Sequence, residues 1–160
     1  MQLLNLCYLF QELSESQFQD LSEITKQVRA QKGQFLMHEG QKAEELFVLK
    51  QGAVELLTRV NDDLVTDDFE LPIAILRNPG DCTGTSSLVE PHEYSLSARC
   101  FEDSELRVIQ YTELKHLMQT DQELGCTMMK NLAKHLLDRL KETRQELKIH
   151  FKTLFKSSHH

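Results

Sequence analysis

The chain contains no apolar run near the roughly 18 residues that a membrane-spanning helix needs, and its N-terminus lacks the basic flank and long apolar core of a secretion signal. The expected setting is the cytoplasm. Cysteine is sparse: the four, at 7, 82, 100 and 126, form no Cys-x-x-Cys pair. The closely spaced ligands of a zinc or iron–sulfur centre are therefore missing, and reduced thiols are the default. Basic charge is short as well. With 18 Lys and Arg against 25 Asp and Glu, the formal net charge of −7 argues against a surface that grips a nucleic-acid backbone without sequence preference. Histidines 38, 92, 116, 135 and 150 are dispersed and do not form the His and Glu cluster of a metal-dependent cupin. No Ser-His-Asp, paired-carboxylate or Cys-His arrangement shows in the spacing. The expectation is a non-enzyme without a metal or nucleic-acid contacts of its own.

What is present suits one ordinary domain of 160 residues, 40% apolar and 27% charged, with enough chain for a sizeable core. Residues 1–30 read as a helical collar. Leu3, Leu4, Leu6, Leu9, Phe10 and Leu13 open it, Ser14 with Gln17 makes a capping-box signal, and Phe18, Leu21, Ile24 and Val28 follow at helical spacing. From 31 to 110 the pattern changes to short runs broken by glycines 33, 40, 52, 80 and 84. Leu46 to Leu49 reads as a buried strand, and Val54, Leu56 and Thr58 alternate against Glu55, Leu57 and Arg59. Asn61-Asp62-Asp63 marks a turn. Leu64 to Leu76 reads as a hairpin arm whose Asp67, Asp68 and Glu70 face water, and Ser95 to Phe101 and Leu106 to Gln110 as closing strands. The architecture expected is α+β, an antiparallel β-barrel or jelly roll (a double-stranded β-helix) with N-terminal helices and a long C-terminal helix.

Residues 111–156 return to helical period. Leu114, Leu117 and Met118 form a short helix, and Asp121 is the expected N-cap of a longer one running to about Phe155. On it Ala133, Leu137, Leu140, Leu147, Phe151 and Leu154 recur at alternating spacings of three and four, with Arg144 completing the heptad. That is the seam of a homodimer, in which Arg144 sets register. The other reading is a single amphipathic helix docked on its own chain, and Leu132 with Leu136 could pack on the barrel.

One stretch, Asn78 to Arg99, carries the chemistry. Pro79, Gly80 and Asp81 make a turn. Gly84 allows positive φ or a close backbone approach, and Thr85, Ser86 and Ser87 after it open a short helical turn whose free N–H groups can face a phosphate. The same residues also serve as a plain strand-to-loop connection.

Leu76 to Leu88 resembles the phosphate-binding cassette of cyclic nucleotide-binding domains, in which a Gly-Asp turn precedes Phe-Gly-Glu-x-Ala-Leu and an arginine follows downstream. Lys32 to Gly40 and Leu46 to Leu56 resemble the family's glycine-punctuated hairpins, so the resemblance spans roughly residues 8 to 140. It implies a sensor fold binding through Gly84, Thr85, Ser86, Ser87, Tyr94 and Ser95, with a following helix that covers the ligand and dimerises. Regulators of the catabolite-activator type continue into a helix-turn-helix domain, for which no room is left before His160.

Two positions depart from the family. Thr85 stands where its glutamate takes the ribose hydroxyl, and Tyr94 where its arginine takes the cyclic phosphate. Tyr94 has no guanidinium fork, and each lost charge-assisted hydrogen bond is worth about 1.5–3 kcal/mol, a hundredfold or more in affinity for the pair. Tyr94 is left to stack on a base. Arg99 lies at an odd strand offset from Tyr94, hence on the opposite face and a poor substitute, and His92 is a lone loop histidine. The reading is a regulatory module that signals through helices Leu137, Leu140, Arg144, Leu147 and Phe151 of two copies. Cyclic AMP, cyclic GMP or another small anion would bind with altered or lost affinity. The alternative is a non-binding dimerisation scaffold with a vestigial pocket.

Overall fold

The computed structural model describes residues 2–60 and 69–157. A short helix α1 (Gln2–Leu6) leads into a 3₁₀ turn (Tyr8–Phe10) and helix α2 (Glu15–Glu23). Strands β1 (Thr25–Ala30), β2 (Phe35–Met37), β3 (Glu45–Gln51), β4 (Val54–Val60) and β5 (Phe69–Leu76) follow. Strand β6 (Cys82–Thr83) and a second 3₁₀ turn (Thr85–Leu88) precede β7 (Ser97–Cys100), β8 (Ser104–Gln110), α3 (Tyr111–Thr120) and α4 (Gln122–Ser157). The strands form two four-stranded antiparallel sheets, ordered β1-β8-β3-β6 and β2-β7-β4-β5, which is the jelly-roll arrangement expected.

β3 shows why the sheets stack as they do. Leu46, Phe47, Val48 and Leu49 are all buried, and because successive side chains point to opposite faces, each face serves a different core. Leu46 and Val48 join Leu9, Phe10, Leu21, Leu124, Met128 and Leu132 between sheet and helices. Phe47 and Leu49 join Val54, Tyr94, Ala98 and Leu106 between the two sheets.

The helical collar ends earlier than its spacing suggests. The capping box forms as expected, Gln17 N–H donating to Ser14 Oγ and Ser14 N–H to Gln17 Oε1, but residues 25–30 pair with β8 from Thr25↔Ile109 to Ala30↔Ser104. Val28 therefore extends a strand: backbone pairing with β8 outweighs a helical period of only four apolar residues. In β4, Leu57 is buried although the alternation puts it outside. A bulge between Leu56 and Leu57 breaks the two-residue period there. Asn61-Asp62-Asp63, Asp67 and Asp68 lie outside the described residues. Beyond them β5 is an edge strand that exposes Phe69, Leu71, Ile73 and Ile75.

Asp121 caps α4, its Oδ1 accepting from Leu124 N–H at 3.0 Å while its Oδ2 accepts from Gln17. The carboxyl is held below its ordinary value chiefly by that Leu124 N–H. The 36 residues of α4 span about 54 Å, and its buried residues are Leu124, Gly125, Met128 and Leu132. Leu132 packs on the domain as expected; Leu136 does not, being exposed with Leu137, Leu140, Leu147, Phe151 and Leu154. Among the described residues, no helix is long and apolar enough to cross a membrane.

Candidate functional site

The cassette is a turn hung from β3. Asp81 Oδ2 accepts from the backbone N–H of Arg77 and Asn78 at 3.1 and 2.9 Å, an Asx-type closure. Gly80 N–H donates to Leu49 O, and Leu49 N–H to Asp81 O. β6 then pairs with Val48 and Phe47. Gly84 sits at φ 87°, and a Cβ there would lie 2.5 Å from the Glu45 carbonyl oxygen, so both conformation and space require glycine. The expected helical turn is present over Thr85–Leu88.

Within the turn Ser86 Oγ and Ser95 Oγ lie 3.3 Å apart. Ser87 is fully buried, and its Oγ has no hydrogen-bond partner among the described residues. His92 closes the loop: its Nδ1 donates to Ser87 O at 2.8 Å, and its ring lies tilted against Tyr111. It is an anchored part of the scaffold.

Tyr94, expected to face a ligand, is instead folded inward. Its ring is buried in the inter-sheet core, and its hydroxyl accepts from Glu45 N–H and donates to Glu45 O, both at 3.0 Å. Burial pushes its phenol above the ordinary value. An apolar ring with a two-way hydroxyl fits between the sheets, where the backbone of Glu45 satisfies it; an open aromatic platform for a base is absent at this residue. Glu45 thus touches both ends of the cassette, blocking a side chain at Gly84 and holding Tyr94. Arg99 faces the other way, as its offset requires. Its Nη2 pairs with Glu55 at 2.6 Å across the β7–β4 register, and its guanidinium lies over Phe35.

Behind the cassette is a cavity of about 410 Å³ bounded by β5, β6, the N-terminal 3₁₀ turn and α4. Tyr8 stacks on His135 there, ring centroids 3.7 Å apart and planes 10° from parallel. Burial, with the Cys82 thiol beside it, pushes the Tyr8 phenol far above its ordinary value, and Thr85 also neighbours its hydroxyl. Burial, and next Arg139, hold the His135 imidazole below its ordinary value. Asn131 Nδ2 donates to Leu9 O and Gln11 O at 3.1 and 2.9 Å, fixing the turn to the helix.

Sequence reasoning missed Tyr8, His135, Arg139, Asn131 and Glu45. For His135 and Arg139 a signal exists: Met128, Leu132, His135 and Arg139 recur at spacings of four, three and four, one face of α4. That face lies roughly a third of a turn from the row Leu137, Leu140, Arg144, Leu147 and Phe151, so the helix can dock on its own domain and present the seam at the same time. Among the described residues, no group of three or more His, Cys, Asp or Glu is placed to hold a metal ion.

The pattern of the cyclic nucleotide-binding domain matches residues 27–121. The anaerobic regulatory protein of Bacillus subtilis (strain 168) is 29% identical over 125 residues, 78% of this chain and 50% of that protein. The chain thus spans half the length of that curated relative. Among solved structures, the catabolite activator protein of Thermus thermophilus superposes with a TM-score of 0.71 at 25% identity, covering 89% of this chain and 62% of that one. A cyclic nucleotide-binding domain from Methylobacillus flagellatus KT shares the fold, with a TM-score of 0.75 at 19% identity over 91% of this chain and 78% of that one.

Proposed function

The chain belongs to the cyclic nucleotide-binding domain family, and from that premise we propose that it is a non-enzymatic regulatory module of the cytoplasm. Its pocket has lost the family's grip on a cyclic phosphate, and its state passes out through an α4 that pairs with a second copy. The observation that carries this reading is the commitment of Tyr94 to Glu45. Where the family's arginine would meet a phosphate, this chain spends the side chain on its own fold, and Thr85 supplies no carboxylate. The output half rests on α4, whose root is tied to the cassette region through Tyr8, His135 and Asn131 while its seam stays exposed. A displacement of the 3₁₀ turn is therefore a displacement of the helix, and a ligand would bias the two arrangements only by binding them unequally. The names of two relatives, an anaerobic regulatory protein and a catabolite activator, support a regulatory role.

The second reading, a scaffold whose pocket binds nothing, is favoured by the same filled position. A thermal melt separates the two. A ligand at 100 times its dissociation constant stabilises a fold by about 2.7 kcal/mol, several degrees at roughly 2–4 °C per kcal/mol. Cyclic AMP and cyclic GMP at millimolar concentration are expected to leave the melt unmoved, and a shift of several degrees with either refutes the loss of grip. A shift with a cyclic dinucleotide or small acidic metabolite identifies a working sensor, and silence across the panel leaves the scaffold.

A further inference from the structure

A pair of thiols stands behind the cassette, and the reading above makes no use of it. Cys7 lies at the bend between α1 and the first 3₁₀ turn, and Cys82 opens β6. Gly80 makes room for that bend: a Cβ there would sit 2.5 Å from Leu6 Cβ and 2.8 Å from its carbonyl carbon. The segment 6–8 therefore runs directly against 80–82. Both cysteines are free, Cys7 belongs to the sheet-helix core and Cys82 packs against it, and the two thiols perturb each other, Cys7 shifted downward and Cys82 upward. Cys7 is fully buried. Cys82 borders the cavity of about 410 Å³ that Leu6, Tyr8, His135 and Arg139 also line.

We propose that Cys7 and Cys82 are an oxidisable thiol pair, closed to a disulfide by hydrogen peroxide that enters this cavity. One sulfur attacks a peroxide oxygen; the O–O bond breaks, leaving a sulfenic acid on that cysteine and releasing water once the thiol's proton is taken up. The second sulfur then displaces hydroxide from the sulfenic sulfur, the S–S bond forms, and hydroxide leaves with the second thiol's proton as another water. Two thiols have lost two electrons and two protons, and the peroxide has gained them. Cys7 is the attacking sulfur, its thiol held below its ordinary value chiefly by Cys82; Cys82, pushed well above its ordinary value by Cys7 and by burial, is the resolving sulfur and borders the cavity.

The bond has a defined mechanical consequence. It ties β6, the strand that delivers Gly84, to the 3₁₀ turn, which Asn131 and the Tyr8–His135 stack already hold on α4. Cassette, turn and helix root become one unit under oxidation. The other cysteines lack this arrangement: Cys100 is buried with Ser104 for a neighbour, and Cys126 is exposed on α4.

The test uses the full chain, reduced, freed of reductant, exposed to hydrogen peroxide and digested with trypsin without reduction. Cleavage after Lys26, Arg77 and Arg99 puts Cys7 in peptide 1–26 and Cys82 in peptide 78–99. The expected product is one species with the mass of both peptides less two hydrogens, separating on treatment with dithiothreitol. Cys82→Ser abolishes it and Cys126→Ser keeps it. The oxidised chain melts several degrees above the reduced one, as a cross-link that closes a long loop requires, and reduction reverses the gain. The proposal is overturned if 1–26 and 78–99 stay unlinked in the unmodified chain while Cys126 is oxidised or joins two chains.

Discussion

Replacing Leu140 and Leu147 together by Asp is the perturbation to which the helix seam is most exposed. Leu140 is 45% and Leu147 55% exposed, so pairing with a second copy would remove about half a leucine side chain from water at each site. Full burial of such a side chain is worth about 1.5–3 kcal/mol, so half is worth roughly 1 kcal/mol. With two sites in each of two copies, the double substitution withdraws about 4 kcal/mol, near a thousandfold in dissociation constant, before any repulsion between the new carboxylates. Sedimentation velocity over a range of concentrations reads this directly. The unmodified chain is expected to sediment as a dimer and the variant as a monomer at the same concentrations. Because Asp is also a poorer helix former than Leu, Leu140→Ala with Leu147→Ala is the companion variant, and Gln145→Asp, off the seam, should leave the dimer intact. A dimer that persists in the Asp variant, or a chain already monomeric at high concentration, refutes the seam.

Three further outcomes follow from the site. Tyr94→Phe removes both of the hydroxyl's hydrogen bonds to the part-buried backbone of Glu45, each worth about 0.5–1.5 kcal/mol; a melt unchanged from the parent would mean that the hydroxyl does not hold the cassette. Gly84→Ala forces a left-handed conformation at about 1–2 kcal/mol and drives a methyl into the Glu45 carbonyl, so the melt should fall by several degrees, and a neutral result contradicts the close approach. The His135 imidazole is held below its ordinary value by burial and Arg139, against Glu142 and Asp138. The unfolded chain therefore takes up a proton where the native ring does not. Stability from this group is full above about pH 6.5 and is lost as pH falls through the lowered native value. His135→Gln should flatten the melting temperature between pH 7 and 5 relative to the parent, and an equally steep slope in both refutes the assignment.

What could be read from residues alone divides along a physical line. Strand β3, the capping box at Ser14, the cap at Asp121 and the turn at Gly84 depend on local chemistry, a few neighbours in sequence that leave one favourable conformation, and each is where its residues place it. The mistakes lie where a distant partner decides. Val28 completed a helical period until β8 offered it a ladder of hydrogen bonds, and Leu57 alternated outward until a bulge in its pairing with β5 turned it in. Tyr94 shows the same limit at the site itself. The cassette pattern identifies its position, and from charge alone it is a failed phosphate ligand. Its actual partner, the backbone of Glu45, lies 49 residues away in the chain and leaves no mark on the sequence around it.

Tyr8 is a further step removed, because nothing in the opening apolar run distinguishes it from the leucines beside it. Only the docking of the 3₁₀ turn between β6 and α4 brings its ring to His135 and its hydroxyl to Thr85. That docking brings Thr85 of the cassette and His135 of α4, fifty residues apart in the chain, into one arrangement around the same side chain.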